Sequence, residues 1–208
     1  MDAHPDVGAV GICHLNSDDQ RSKQQSCSVF PSPWAEVASL LGVRRIKAGG
    51  IVESDEVERD VDWIAGSYLF VRRACLEDVG LLDERFFLYD EDIDWCRRAW
   101  KAGWKVRYWP GATMIHIGSG VRLLMNDKTF IHFRSRLQYI RKQHSSVAAV
   151  AYYVAVSLRL ALATGRQVLL ALSGRATLRE VEERFERQSM FMLLRAGRSG
   201  VAGSKVIG

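Results

Sequence analysis

The alternation of apolar and polar positions predicts a chain that begins in sheet and ends in helix. Val7-Gly8-Ala9-Val10-Gly11-Ile12 is a short apolar run rich in glycine, the pattern of a strand. Asn16-Ser17-Asp18-Asp19 follows as a turn, because these short side chains bond nearby backbone. Pro31-Ser32-Pro33 introduces a short amphipathic helix from Trp34 to Leu41, with Ser32 near its N-cap and Gly42 at its end. Residues 43–60 are mixed and charged and read as a loop approaching a strand. Trp63 to Val71 is a continuous apolar run, the pattern of a buried strand. Arg72 to Val79 should form a short helix stopped at Gly80, and Asp90 to Ala102 a second one stopped at Gly103. Trp104–Trp109 and Ala112–Ile117 read as two strands separated by the turn dipeptide Pro110-Gly111. From Asp127 to Arg195 the pattern is helical, with breaks near Ser145-Ser146 and Ser173-Gly174.

Composition places this pattern in a globular α/β class: 48% of the 208 residues are apolar and 25% charged, too apolar for a disordered chain. Cys13, Cys27, Cys75 and Cys96 are far apart and form no CxxC pair, which argues against a zinc site or disulfide framework and suits a reducing cytosol. Met1-Asp2-Ala3-His4-Pro5-Asp6 has no basic-then-apolar leader pattern. No run of about 18 uncharged apolar residues occurs, which argues against a clean membrane span.

Charge changes the picture of the second half. Residues 1–121 hold 14 Lys/Arg and 19 Asp/Glu, net −5, whereas residues 122–208 hold 15 and 5, net +10. Such a basic tail could face anionic lipid, nucleic acid or an acidic partner surface. Val147 to Leu172 is mostly apolar but carries Arg159 and Arg166, seven apart and so on one helical face, with Arg175 nine residues beyond. Two readings stand: an interfacial helix at a membrane, or a helix packed on its own domain with arginines outward. No recognised nucleic-acid motif accompanies the charge, so nucleic acid is not an expected partner.

Asp90, Glu91, Asp92 and Asp94 fall in the first turn of a predicted helix. Acids there are favoured by the positive end of the helix dipole, and Asp94 is spaced to pair with Arg97 or Arg98. A carboxylate in the same place could instead take a proton from a hydroxyl nucleophile. His116, ending an apolar strand, is by itself a half-buried structural residue. Trp63 fits a core as well as a sugar-stacking surface.

The order Asp62-Trp63-Ile64-Ala65-Gly66-Ser67, Val71-Arg72-Arg73, Val79-Gly80-Leu81-Leu82-Asp83-Glu84-Arg85-Phe86-Phe87-Leu88-Tyr89, Glu91-Asp92-Ile93-Asp94-Trp95-Cys96-Arg97-Arg98, Ala102-Gly103-Trp104 and His116 resembles the family 2 glycosyltransferases, especially the rhamnosyltransferase-like branch. The likeness runs over roughly residues 5–145. It implies a partial nucleotide-diphosphosugar transferase (GT-A-like) domain with a mixed sheet over residues 1–125, followed by a basic helical tail over 126–208. It also implies inverting transfer of a sugar such as rhamnose from a nucleotide sugar to a cell-envelope glycan or lipid-linked acceptor. By the resemblance, Asp92 is the catalytic base and Glu91 orients it or the acceptor. Gly66 and Ser67 match the family's Gly-Ala pair on the acceptor side, with Trp63 beside them, although Ser67 departs from the commoner alanine. His116 matches a ligand of the donor's divalent cation, manganese or magnesium.

Pro5-Asp6-Val7-Gly8-Ala9-Val10-Gly11 matches the family's segment just after its DxD motif. The expectation is therefore a fragment or truncated reading frame, or else a chain completed by an N-terminal half on a partner. The expected location is the inner face of the cell membrane, held peripherally by the tail on anionic lipid. The rival reading is a non-catalytic membrane-associated or partner-binding module derived from such an enzyme.

Overall fold

The computed structural model describes residues 1–41, 57–117 and 128–173. Gly42, residues 43–56, Gly120, the expected 125/126 boundary, Arg175 and the helical pattern after Ser173 lie outside the described residues. The sheet is built around β1 (Val7–Leu15), which runs three residues past the expected Ile12. On one side β1 pairs parallel with β7 (Lys105–Ile115), whose far edge takes β4 (Arg59–Asp60) antiparallel. On its other side β1 pairs antiparallel with β2 (Lys23–Gln24) and β6 (Phe70–Val71). A separate two-stranded sheet joins β3 (Cys27–Ser28) to β5 (Trp63–Ile64). The fold is thus mixed α/β with a helical carboxyl-terminal part.

Two strand expectations need correction. The Trp63–Val71 run is not one buried strand: it splits into β5, a 3-10 turn over Gly66–Tyr68, and β6. The chain leaves the small sheet and joins the large one at that turn, and Phe70 ends 57% exposed. Pro110-Gly111 does not separate two strands either, because β7 continues through it. Gly11 pairs with Tyr108 but Cys13 pairs with Thr113, so β7 bulges there. Proline has no N–H to give to a ladder, and the bulge shifts the register so that pairing resumes beyond it at Thr113. The Trp109 ring lies where a side chain on Gly111 would sit.

The helices follow their sequence signals more closely. Ser32 Oγ accepts the Ala35 N–H at the start of α1 (Pro33–Leu40). Gly80 and Gly103, at φ +80° and +91°, end α2 (Arg73–Val79) and α3 (Glu91–Lys101), conformations that only glycine adopts freely. The Ser145-Ser146 break separates α4 (Lys128–Gln143) from α5 (Ser146–Leu172).

Two apolar clusters grip α3 from opposite sides. Trp95, Cys96 and Ala99 pack with Ala9, Ile64, Cys75, Val106 and Tyr108 under the sheet. Ile93 packs with Phe86, from the segment before α3, and with Phe133, Leu137, Tyr139, Ile140 and Tyr152 from α4 and α5. Indole hydrogen bonds add to this: Trp95 Nε1 donates to the Gly80 carbonyl at 2.8 Å and Trp100 Nε1 to the Val61 carbonyl at 3.1 Å. The first turn of α3 is consequently a fixed point. The sheet approaches α2 closely at Gly8, where an added Cβ would lie 2.5 Å from Cys75 Sγ and 2.9 Å from Trp104 Cβ. Gly8→Ala should therefore destabilise the fold by about 1–3 kcal/mol, the usual cost of overpacking. Urea unfolding will show this as a lower midpoint at unchanged slope.

Among the described residues of α5, the buried ones are in its first turns: Ala148, Ala149, Tyr152 and Ala155. Val154, Leu158, Leu162, Val168, Leu169 and Leu172 are exposed. Despite Arg159 and Arg166, Ser146–Leu170 is long and apolar enough by length and composition to cross a membrane, which revises the expectation from the uninterrupted-run test.

Candidate functional site

Asp92 stands in the first turn of α3 and reaches back to the turn after β5. Its Oδ2 accepts the Gly66 N–H at 2.8 Å, and its Oδ1 accepts the Ile93 N–H at 2.8 Å. A Cβ on Gly66 would sit 3.4 Å from Asp92 Cβ, in ordinary van der Waals contact, so the two residues adjoin closely. Burial pushes the Asp92 carboxyl above the ordinary aspartate value, against the pull of the two backbone donors. Glu91 is likewise raised by burial, and its Oε2 is buried without a hydrogen-bond partner among the described residues. Both acids line one pocket of about 280 Å³ with Trp63, Asp90, His132 and Arg136. Trp63 is fixed there by its Nε1, which donates to the Val29 carbonyl at 2.9 Å.

Asp90 and Asp94 are held in buried ion pairs. Asp90 is 3% exposed and accepts two bonds from Arg136, from Nε at 2.7 Å and from the second terminal nitrogen at 3.0 Å. Arg136 also donates to Glu36. Tyr89 and Asp90 both have positive φ, +69° and +64°, a left-handed pair that non-glycine residues adopt only when their surroundings hold them. Arg136 ties the Asp90 side chain of this pair to α4. Asp94 is fully buried and accepts from Arg98 Nε at 3.1 Å, Lys142 Nζ at 2.6 Å and Gln143 Nε2 at 2.6 Å. Of the two arginines spaced to reach Asp94, Arg98 does so; Arg97 instead bonds Tyr139 and covers the Phe30 ring.

Ser67, next to Gly66, faces away from the acids. Its Oγ lies 3.3 Å from His14 Nδ1. His14 and His116 face each other across the end of the β1–β7 pair, with ring centroids 5.8 Å apart, and His116 Nδ1 meets Gln24 Oε1 at 2.8 Å. His14 is 1% exposed, its Nε2 has no partner among the described residues, and burial followed by the nearby His116 holds its pKa low. The structure therefore brings Trp63, Gly66, Glu91 and Asp92 together and places Ser67 and His116 in a second cluster behind the Gly66–Ser67 turn. His14 is absent from the expected site. The only signal for it was a histidine at the end of an apolar run, which reads as the end of the strand. Among the described residues no three His, Cys, Asp or Glu side chains stand together to hold a metal ion. His116 supplies one imidazole, which is not a metal site by itself.

Comparison with known proteins gives this arrangement a family. The model for "Glycosyl transferase family group 2" matches residues 25–139, a span that holds Trp63, Gly66, Glu91, Asp92 and Arg136. The N-acetylglucosaminyl-diphospho-decaprenol L-rhamnosyltransferase of Mycobacterium tuberculosis is 49% identical over 59 residues, 28% of this chain and 19% of that protein. Rhamnosyltransferase WbbL of Escherichia coli K12 is 31% identical over 136 residues, 64% of this chain and 50% of WbbL. The chain thus spans half of one relative and about a fifth of the other. With the model matching more than half of its residues, the chain belongs to glycosyl transferase family group 2, and the two relatives named here are both rhamnosyltransferases.

Proposed function

We propose that this chain carries the acceptor side of an inverting transferase that moves a sugar, rhamnose in the first instance, from a nucleotide donor to a lipid-linked cell-envelope glycan. The observation that carries the proposal is Asp92. Its carboxylate is half-buried beside a pocket, with one oxygen fixed by a backbone N–H and its affinity for a proton raised by burial. An acceptor hydroxyl is a poor nucleophile, and a base of this kind removes its proton as attack proceeds. The hydroxyl oxygen forms the bond to the anomeric carbon, the proton goes to Asp92, and the bond to the diphosphate breaks with its electron pair leaving on the nucleotide. Glu91, uncharged more readily than an exposed glutamate, is the partner that orients the acceptor. Gly66 keeps the approach open, and Trp63 offers a ring face to the sugar. Family membership implies a divalent cation at the leaving diphosphate, with His116 contributing at most one ligand. No step here depends on that ion.

The test is transfer from a panel of nucleotide sugars to lipid-linked acceptors, with manganese or magnesium. The 208-residue chain is assayed alone and with a chain supplying the nucleotide-binding half. We expect acceptor-dependent transfer only in the combined assay. Robust transfer by this chain alone would overturn the fragment reading, and absence of transfer from every donor in both arms would overturn the activity.

The same reading places the protein at the inner face of the cell membrane through α5. Each basic residue near an anionic surface adds about 1 kcal/mol, so losing two should weaken binding about 30-fold. The double variant Arg159→Gln, Arg166→Gln should thus float poorly with anionic vesicles at low salt while keeping its circular dichroism. Equal flotation of variant and wild type would remove these arginines from membrane binding.

A further inference from the structure

Three residues of α4, His132, Ser135 and Arg136, are spaced to share one helical face. Two of them are tied to the segment that leads into α3. Ser135 Oγ donates to the Leu88 carbonyl at 2.6 Å, and Arg136 bonds the Asp90 carboxylate. The third, His132, is thereby held against the same segment, where its ring meets the Tyr89 ring at 5.5 Å between centroids. It lines the pocket that holds Glu91 and Asp92. Neither of its ring nitrogens has a hydrogen-bond partner among the described residues. Desolvation, opposed by Asp90 and reinforced by Arg136, keeps its pKa below the ordinary histidine value, so the ring is uncharged at neutral pH. An uncharged imidazole offers one donor and one acceptor nitrogen.

We propose that His132 contacts the acceptor, hydrogen-bonding one hydroxyl of its sugar ring while Asp92 receives the proton of the attacking hydroxyl. The inference rests on the transferase reading above and adds a substrate-contacting residue to it. Arg136 already occupies Asp90 and Glu36, so those two acids are committed within the protein. The pocket still presents the unpartnered Glu91 Oε2, the His132 imidazole and the Trp63 ring, whose own N–H is taken by the Val29 carbonyl. Uncommitted polar groups beside an aromatic ring suit a pyranose, which is uncharged and has hydroxyl edges and C–H faces. The lack of charge on His132 also matters for the base. A cation at this position would favour the ionised forms of Glu91 and Asp92 and lower their affinity for a proton, whereas a neutral imidazole leaves both as burial sets them.

The probes are methyl α-rhamnoside, methyl β-glucoside and methyl β-N-acetylglucosaminide, titrated into the full 208-residue chain and followed by NMR of its histidine and tryptophan rings. At least one pyranoside should shift the His132 resonances saturably and leave those of His4 and His144, which lie outside this pocket, unmoved. His132→Phe keeps a ring against Tyr89 and removes both nitrogens. Followed through the Trp63 indole resonance, it should weaken that pyranoside about tenfold, whereas His132→Gln, which restores a donor and an acceptor, should stay within about threefold of wild type. Arg134→Gln, exposed on α4 outside the pocket, should leave binding unchanged. Absence of a His132 shift with all of the pyranosides, wild-type affinity in His132→Phe, or equal weakening by Arg134→Gln would overturn the contact. The expected binding pattern in a protein that transfers no sugar keeps the contact and overturns the transferase reading. Sugar transfer by the combined chains with an unchanged acceptor KM in His132→Phe does the reverse.

Discussion

Asp92→Asn should lower turnover about a hundredfold or more in the assembled transferase while leaving donor binding intact, since general-base catalysis contributes about 10²–10⁴-fold. The substitution keeps the side chain's shape and an oxygen that can accept the Gly66 N–H, removes the proton acceptor, and gives up the oxygen that accepts the Ile93 N–H. Stability should move the other way. Burial raises the folded-state pKa of Asp92 above its unfolded value, so the folded protein holds a proton there that the unfolded chain has released. Stability therefore falls as pH rises from the unfolded pKa through the folded one, and the cost is absent below that window. The asparagine variant escapes this cost. It should match or exceed the wild type in urea midpoint at pH 8, with the advantage shrinking toward pH 4. Near-normal turnover would pass the role of base to Glu91, and a variant less stable at pH 8 than at pH 4, relative to wild type, would show that the carboxylate is not strained by burial.

The largest loss of stability should come from Arg136→Met. Its guanidinium is shared by two buried carboxylates, Asp90 and Glu36. Removing one partner of a buried pair costs about 3–5 kcal/mol, because the remaining charge is left without compensation. A domain stable by about 5–15 kcal/mol would lose a large share of that. Glu36 can escape by protonation, which burial already favours. In the variant its folded pKa would lie further above the unfolded one, so that part of the defect should be full at neutral pH, shrink as pH falls through the folded pKa, and be gone below about pH 4, where the unfolded carboxylate also protonates. Thermal unfolding across that range measures it. A loss under about 1 kcal/mol that does not vary with pH would show that the network contributes little. Because Arg136 also anchors Asp90 just before Glu91 and Asp92, residual activity in a folded variant should fall with it.

Several parts of this arrangement were readable from the residues because their causes are local. Ser32 and Pro33 mark where α1 starts, Gly103 marks where α3 ends, and the acids of the first turn lie next to one another in the chain. The parts that were missed depend on distant partners. Trp63–Val71 has the composition of a buried strand, but the Asp92 carboxylate, 26 residues beyond Gly66, takes the Gly66 N–H and the chain turns there. Pro110-Gly111 has the composition of a turn, but a parallel partner at β1 keeps β7 running past it. Arg136 reaches partners 46 and 100 residues away, and no periodicity signals such a pairing. Asp92 and Glu91 were named through family likeness; the hydrogen bond that fixes Asp92 and the buried oxygen left open on Glu91 required coordinates.

The parallel pairing of β1 with β7 also sets a schedule for synthesis. Val7 pairs with Lys105 and Leu15 with Ile115, so the strand at the middle of the sheet is made long before the strand it needs. At about 5–20 residues per second the ribosome takes on the order of 5–20 s to cover such a separation. Throughout that interval an apolar β1 waits with an unfilled edge, the kind of surface that invites pairing with other chains. The hydrogen bonds that position Asp92 come later still in effect, since α3 is gripped only once α4 and α5 have emerged. Nascent copies of this protein should accordingly depend on chaperones between the synthesis of β1 and that of α5, and arrest of translation in that window should yield aggregates rather than a half-built site.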